Sequence, residues 1–371
     1  MGLFDSKKTT NANYVGVDLG GSSIKMVELT NNNGRGQLVT YGYIERSLDE
    51  DKTKLIDRPD DTAAMIKKIK KQSKIISDRA ITALPAPAVF SSIISLPEIM
   101  KKDLSSTKKI TAAVEWEAKK VLPLPLEEMI LDWKVLGDES ILKAAEKKEK
   151  GKEEQTIKNL QVLLTGASKD IVQKYLEIFK KAGMNLISLE TESFALARAL
   201  VGKDKSTVIL VDIGTMGTDI SVVENAIPLL TRSVSVGGQE ITKAVSTTLG
   251  VSMEQAEQFK RDLESNTTEG EVLPDVIKRP LDAIINEIQY TINFYLEQPD
   301  NAGKKIERII LTGGTASLYN LDKFITETLN IKTFIGNPWA RVIYPEELTD
   351  TLQSIGSRLA TSIGLAMRDI E

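Results

Sequence analysis

The chain has 371 residues and 41% hydrophobic content, enough for two or more packed domains, and its formal net charge of −4 supplies no global basic field to hold phosphate backbones. Nucleic acid is therefore not an expected partner. With no cysteine and no histidine, thiolate nucleophiles, Ser-His-Asp relays, disulfides and Cys/His zinc sites are excluded, and any chemistry falls to carboxylates, hydroxyls, lysine, arginine or a hard metal ion.

No apolar run approaches the roughly 18 residues of a membrane span, and no signal-peptide core opens the chain. A cytoplasmic protein is expected. The start, Met1-Gly2-Leu3-Phe4-Asp5-Ser6, formally matches an N-myristoylation pattern, but a frayed tail before the first strand is the simpler reading.

Tyr14 to Asp18 reads as a buried strand, followed by a Gly/Ser bend and a second strand from Ile24 to Leu29. Residues 60 to 76 read as an amphipathic helix, with Ala63, Ala64, Ile66, Ile69 and Ile75 inward and Lys67, Lys68, Lys70, Lys71 and Lys74 outward as a solvated face. From Arg79 short strands are punctuated by Pro85, Pro87 and Pro97, and a helix over residues 104 to 121 runs into Leu122-Pro123-Leu124-Pro125. Strands Met129 to Leu136 and Asn159 to Thr165 bracket Lys143 to Gln155, whose charges of both signs predict a mobile loop. A helix from Lys169 to Ala182 is closed by Gly183, and Ile187 to Leu200 leads to a second beginning. Val208 to Asp212 is again a strand, Gly214 to Thr218 again a glycine-bearing bend, and Ile220 to Val223 again an outgoing strand. The recurrence of the first hairpin halfway along the chain predicts a duplicated α/β unit.

Asp18-Leu19-Gly20-Gly21-Ser22-Ser23 puts a carboxylate at a strand end and then small residues whose backbone N–H groups can approach phosphate oxygens, with Lys25 as a nearby cation. Asp212-Ile213-Gly214-Thr215-Met216-Gly217-Thr218 repeats that chemistry. Two such loops facing each other can clamp a triphosphate, with Asp18 and Asp212 holding Mg²⁺ through water, since Mg²⁺ keeps much of its hydration shell. A third glycine element, Thr312-Gly313-Gly314-Thr315-Ala316, follows the apolar strand Ile306 to Leu311 and lets a flat ring lie against backbone; a fourth, Gly237-Gly238, precedes a helix starting near Glu240.

This order of phosphate loop, connecting helix, second phosphate loop and adenosine motif resembles the actin, hexokinase and heat-shock chaperone ATPase superfamily. Within it the chain most resembles the PilM family of cytoplasmic type IV pilus assembly proteins, related to the cell-division protein FtsA. The residues that carry this are Leu96-Pro97-Glu98-Ile99, Ala112 to Ala118, Leu122 to Pro125, Leu131-Asp132-Trp133-Lys134-Val135-Leu136, Glu192 to Ala199, Gly237 to Thr242 and Ala256-Glu257-Gln258-Phe259-Lys260.

The resemblance implies an α/β fold of duplicated actin/hexokinase-type (ribonuclease H-like) nucleotide-binding domains with an FtsA-like inserted subdomain. On it, 13–83 with 186–205 and 356–371 form the first domain, 84–185 the insertion, 206–236 with 306–355 the second domain, and 237–305 a helical subdomain. It further implies ATP and Mg²⁺ between the halves. Asp18 and Asp212 would be the metal-water carboxylates, Gly20, Gly21, Ser22, Ser23 and Lys25 with Gly214, Thr215, Met216 and Gly217 the phosphate clamps, and Gly237 and Gly238 part of the cofactor site. Glu257 and Lys260 would border ribose and base, with Gly313, Gly314 and Thr315 behind the ring. Glu192 sits where the superfamily places a water-polarising acid, although a carboxylate at a helix start is also a common structural feature.

The function implied is a cytoplasmic ATP-binding scaffold of a type IV pilus or related type II secretion machine. Such a scaffold binds the N-terminal tail of a PilN-like inner-membrane protein and meets the membrane through partners, with other pilus proteins or further copies of itself as companions. Slow or absent hydrolysis is expected. A small-molecule kinase or other phosphotransferase would need a substrate hydroxyl facing a catalytic Asp within a polar substrate-binding stretch, and no such cluster lies between the two phosphate loops. An FtsA-like cell-division protein would carry a C-terminal amphipathic membrane helix, whereas Leu359 to Ile370 reads as a helix packing back on the first domain.

Overall fold

The computed structural model describes residues 13–46, 53–100, 107–136, 156–265 and 273–370. The Met1 to Ser6 pattern and the charged stretch Lys143 to Gln155 lie outside the described residues. The chain divides into two compact units, one spanning Pro87–Gln173 and the other Ser6–Ala86 with Lys174–Glu371.

The larger unit opens with β1 (Asn13–Leu19), β2 (Ser23–Asn32) and β3 (Arg35–Glu45), followed by α1 (Pro59–Gln72) and β4 (Arg79–Leu84). Residues 14 to 19 of β1 are buried without alternation, the signature of a strand covered on both faces. Helix α1 is shorter than its apolar period suggests. Lys74 takes a left-handed φ of 54° and Ile75 N–H donates back to Lys70 O at 3.0 Å, which closes the last turn.

The smaller unit carries β5 (Val89–Met100), α2 (Thr107–Ala118), β6 (Met129–Val135) and β7 (Thr156–Ser168). Its sheet has the order β5-β7-β6, antiparallel throughout. Ile94, Leu96, Leu160, Val162 and Leu164 pack with Ile110, Val114 and Ala118 of α2 into a core of its own.

Next come α3 (Lys169–Ala182), β8 (Asn185–Thr191), α4 (Glu192–Leu200), β9 (Val208–Ile213), β10 (Thr218–Glu224) and β11 (Ile227–Val234). The remainder is α5 (Gly238–Leu249), α6 (Met253–Ser265), α7 (Asp275–Leu296), β12 (Arg308–Thr312), α8 (Leu321–Leu329), β13 (Thr333–Ile335), β14 (Val342–Ile343) and α9 (Thr349–Ala366).

The larger unit holds two sheets, β14-β3-β2-β1-β4-β8 and β11-β10-β9-β12-β13. Each begins with an antiparallel meander whose first strand then pairs in parallel with a later one: β3-β2-β1 followed by β4 and β8, and β11-β10-β9 followed by β12 and β13. The duplication read from the two hairpins therefore extends through five strands of each sheet.

Helix α9 packs on the first half, as its sequence predicts: Leu359, Ile363, Leu365 and Ala366 share a core with Tyr14, Val27, Leu29 and Ile81. Its C-terminal part is buried on every side. Gly16 and Gly364 permit the close approach, because a Cβ on Gly16 would lie 1.9 Å from Ser362 O and one on Gly364 1.9 Å from Ala195 O.

Candidate nucleotide site between the two halves

The two glycine bends close identically. Gly20 N–H donates to Ser23 O at 2.9 Å, and Gly214 N–H donates to Gly217 O at 2.9 Å. Asp18 and Asp212 stand on the strands that enter these bends, and in register across the hairpins they face Lys25 and Asp219 respectively. The bends also meet: Ser22 and Thr215 share a hydroxyl–hydroxyl hydrogen bond of 2.8 Å between residues 193 apart in sequence, and the backbone of Gly21 lies under Met216. A side chain on Gly21 would lie 2.6 Å from Met216 Cγ, so glycine is required there for the loops to touch.

The charges around this junction are unbalanced. Lys25 Nζ donates to Asp18 Oδ2 at 2.8 Å, while Asp212, Asp219 and Glu192 are close enough to perturb one another. Burial, and then the neighbouring Asp219, push the Asp212 carboxyl up to about 7. Burial, followed by Asp219, Asp18 and Asp212, drives Glu192 well above the usual carboxylate range. Asp219 is itself raised by burial and accepts hydrogen bonds from Ser233 and Glu192. Burial alone would depress Lys25, but Asp18, with Asp212 and Glu192 behind it, holds its ammonium above the ordinary value. One lysine does not offset four carboxylates, so three of them are pushed toward their protonated forms, and a bound divalent cation would favour their ionised forms.

A second group adjoins the first. Lys260 is buried, and its Nζ reaches Glu257 Oε2 at 2.6 Å, Thr242 Oγ1 at 3.0 Å and Gly238 O at 3.3 Å. Thr242 donates to Glu257 Oε2 at 2.6 Å. Burial would raise the Glu257 carboxyl, but Lys260 outweighs it and holds the group low. A Cβ on Gly238 would lie 2.5 Å from Thr315 Oγ1, so α5, α6 and the turn after β12 converge here.

Two predicted elements also carry structural roles that their sequence reading did not include. The α5 N-terminus does not present free donors: Gly238 N–H bonds Gly214 O and Gln239 N–H bonds Thr215 O, each at 2.9 Å, so Gly237-Gly238 buttresses the second bend. Gly313, at φ 89°, is glycine because a Cβ would sit 2.4 Å from Asp212 Oδ1 and 2.5 Å from Ile213 O. Only Gly314 of this pair faces open space, with Arg358 Cγ 4.0 Å away.

Sequence reasoning missed four participants. Asp219 occupies in the second hairpin the register that Lys25 occupies in the first, seven residues after the leading aspartate. Superposing the two hairpins would have found it. Thr242 sits at the centre of the Lys260 network. Glu45, at the end of β3, ion-pairs at 3.4 Å with both Arg261 and Arg358. Such long, half-exposed pairs contribute little energy, but Glu45–Arg261 joins the two halves. Tyr175 is buried with its hydroxyl lacking a hydrogen-bond partner, and burial, then the charges of Glu192 and Asp18, make that hydroxyl harder to ionise.

The family model for type IV pilus assembly protein PilM matches residues 16–370. A structure described as the PilM-PilN type IV pilus biogenesis complex superposes with a TM-score of 0.78 at 24% identity, covering 98% of this chain and 100% of that one. MreB 5 of Spiroplasma citri bound to AMPPNP superposes with a TM-score of 0.52 at 13% identity, over 95% and 94% of the two chains. In sequence, cell division protein FtsA of Bacillus subtilis (strain 168) is 32% identical over 152 residues, 40% of this chain and 34% of that protein. The chain thus spans about a third of that relative's length. The fold is the actin-like one that the family resemblance implies, and it carries the duplication that the hairpins predict.

Proposed function

The chain belongs to the family of type IV pilus assembly protein PilM, and from that premise we propose that it is a nucleotide-binding assembly platform that captures the N-terminal tail of a PilN-like inner-membrane protein. One observation carries the nucleotide half of this reading: two identically closed glycine bends meet across the halves, each entered past an aspartate. The PilN-like partner is suggested by the PilM-PilN complex that the chain resembles in fold. Through that partner the chain would sit at the inner face of the inner membrane. No described helix is long and apolar enough to cross a membrane itself.

The residues fit ATP with Mg²⁺. Gly20 to Ser23 and Gly214 to Gly217 would take the phosphates, Lys25 would meet their charge, and Asp18 and Asp212 would hold Mg²⁺ through its waters. No three acidic side chains among the described residues close directly on a metal. Thr242, Glu257 and Lys260 would flank the ribose, and the open face at Gly314 would take the base. When bound, the cation neutralises developing phosphate charge.

In this reading Glu192 would be the acid that polarises a water, and a base works only when ionised. Burial and the neighbouring carboxylates raise its carboxyl well above the usual range and so disfavour that ionised form. Turnover by the isolated chain is therefore expected to fall far below the enzyme median of about ten per second, and to rise with pH as Glu192 ionises. Steady nucleotide turnover at about that median rate, with the phosphoryl group passed to an acceptor, would favour a phosphotransferase instead.

A further inference from the structure

The outward face of α1 is cationic. Lys67, Lys68 and Lys71 share one side of the helix at i, i+1 and i+4, Lys74 lies just past its end, and all four are exposed with no ion pair among the described residues. Nearby charges are already spent: Lys70 pairs with Asp78, Asp61 with Arg58, and Asp60 with Lys181. Within α1 the acidic side chains are confined to the first turn, at Asp60 and Asp61. The opposite face, Thr62, Ala63, Ile66 and Ile69, is buried.

Just past the helix, beside Lys74, Ile76 is 77% exposed, the most exposed of the large hydrophobic side chains among the described residues. Its neighbour Ile75 is buried at 5%. The chain as a whole is acidic, with a net charge of −4, so this cationic surface is a local feature and not a by-product of overall composition.

From this geometry we propose that the α1 face is a membrane-contact surface: Lys67, Lys68, Lys71 and Lys74 engage the headgroups of anionic phospholipids, and Ile76 enters the interface. Three lysines on one helical face and a fourth just past the helix end, with an adjoining apolar side chain, have the composition of a peripheral lipid-binding site, and their attraction is confined to about a Debye length. The surface acts alongside a membrane-protein partner and does not depend on one. It would fix which side of the chain faces the bilayer.

Co-sedimentation of the full chain with vesicles tests this. Binding is expected to vesicles containing phosphatidylglycerol and not to phosphatidylcholine alone, and to disappear at high salt. Changing all four lysines to glutamine is expected to weaken binding more than a hundredfold, at about fivefold per lysine. Ile76→Ser should weaken binding while leaving its salt dependence unchanged. A control with Lys243, Lys278, Lys305 and Lys323 changed to glutamine alters net charge equally and should bind like the parent. The proposal is overturned if the parent ignores anionic vesicles at low salt, even where the face captures an acidic protein, or if the control variant loses as much as the α1 variant.

Discussion

Gly364→Ala is expected to cost about 3 kcal/mol or more of folding stability, at the upper end for overpacking. The new Cβ would lie 1.9 Å from Ala195 O and 2.6 Å from Ala195 C, atoms of the α4 backbone that cannot rotate away as a side chain would. Helices α4 and α9 would have to separate, and α9 is also the element that closes the first half's core through Leu359, Ile363 and Ala366. Gly16→Ala strikes the same helix from β1, against Ser362 O, and should cost a similar amount. Denaturant midpoints measure both. A change within about 0.5 kcal/mol, the ordinary range for a surface substitution, would show that α9 is not seated as described.

ATP with Mg²⁺ should raise the melting temperature, since a ligand bound only by the folded state stabilises it by about 2.7 kcal/mol at a hundredfold excess over its dissociation constant. Asp18→Ala and Asp212→Ala should each lose most of that shift. Asp212→Asn adds a second, opposite effect. In the folded chain the Asp212 carboxyl holds its proton to about pH 7, whereas an ordinary aspartate releases it near 3.8. Between those values the folded state binds more protons than the unfolded one, so stability falls as pH rises through that window. The uncharged variant escapes this loss. It should melt higher than its parent above about pH 7, match it below 3.8, and fail to respond to ATP. Calorimetry across pH, with and without nucleotide, separates the two effects. A double Asp18→Ala, Asp212→Ala variant that binds ATP normally would place the site elsewhere.

Much of this was legible in sequence because the hairpins announce themselves: a buried strand, an aspartate, a glycine bend and a second strand occur twice. What was not legible depends on depth and register. Residues 35–45 and 227–234 give no clean alternation, yet they form the third strand of each meander because a preceding hairpin strand offers them an edge. Asp219 looks like an ordinary residue at the start of a strand until its pairing with Asp212 is known. Tyr175 occupies a buried helix position that reads as plain core, and only the fold sets its hydroxyl near charged carboxylates. Gly237 and Gly313 carry the right residue type for a different reason: one supports a loop and the other avoids Asp212, through contacts that no local motif encodes.

The platform reading stands or falls on its partner. The most direct measurement is titration of the full chain with the N-terminal cytoplasmic peptide of a PilN-like protein, alongside a scrambled peptide, with and without ATP and Mg²⁺. The account predicts saturable binding of the native peptide and none of the scrambled one. Among the described residues β5 and β6 are the outer strands of the smaller unit's sheet, and the account has the peptide add there as a strand. Equal binding of the native and scrambled peptides, or binding of neither in any nucleotide state, would contradict it.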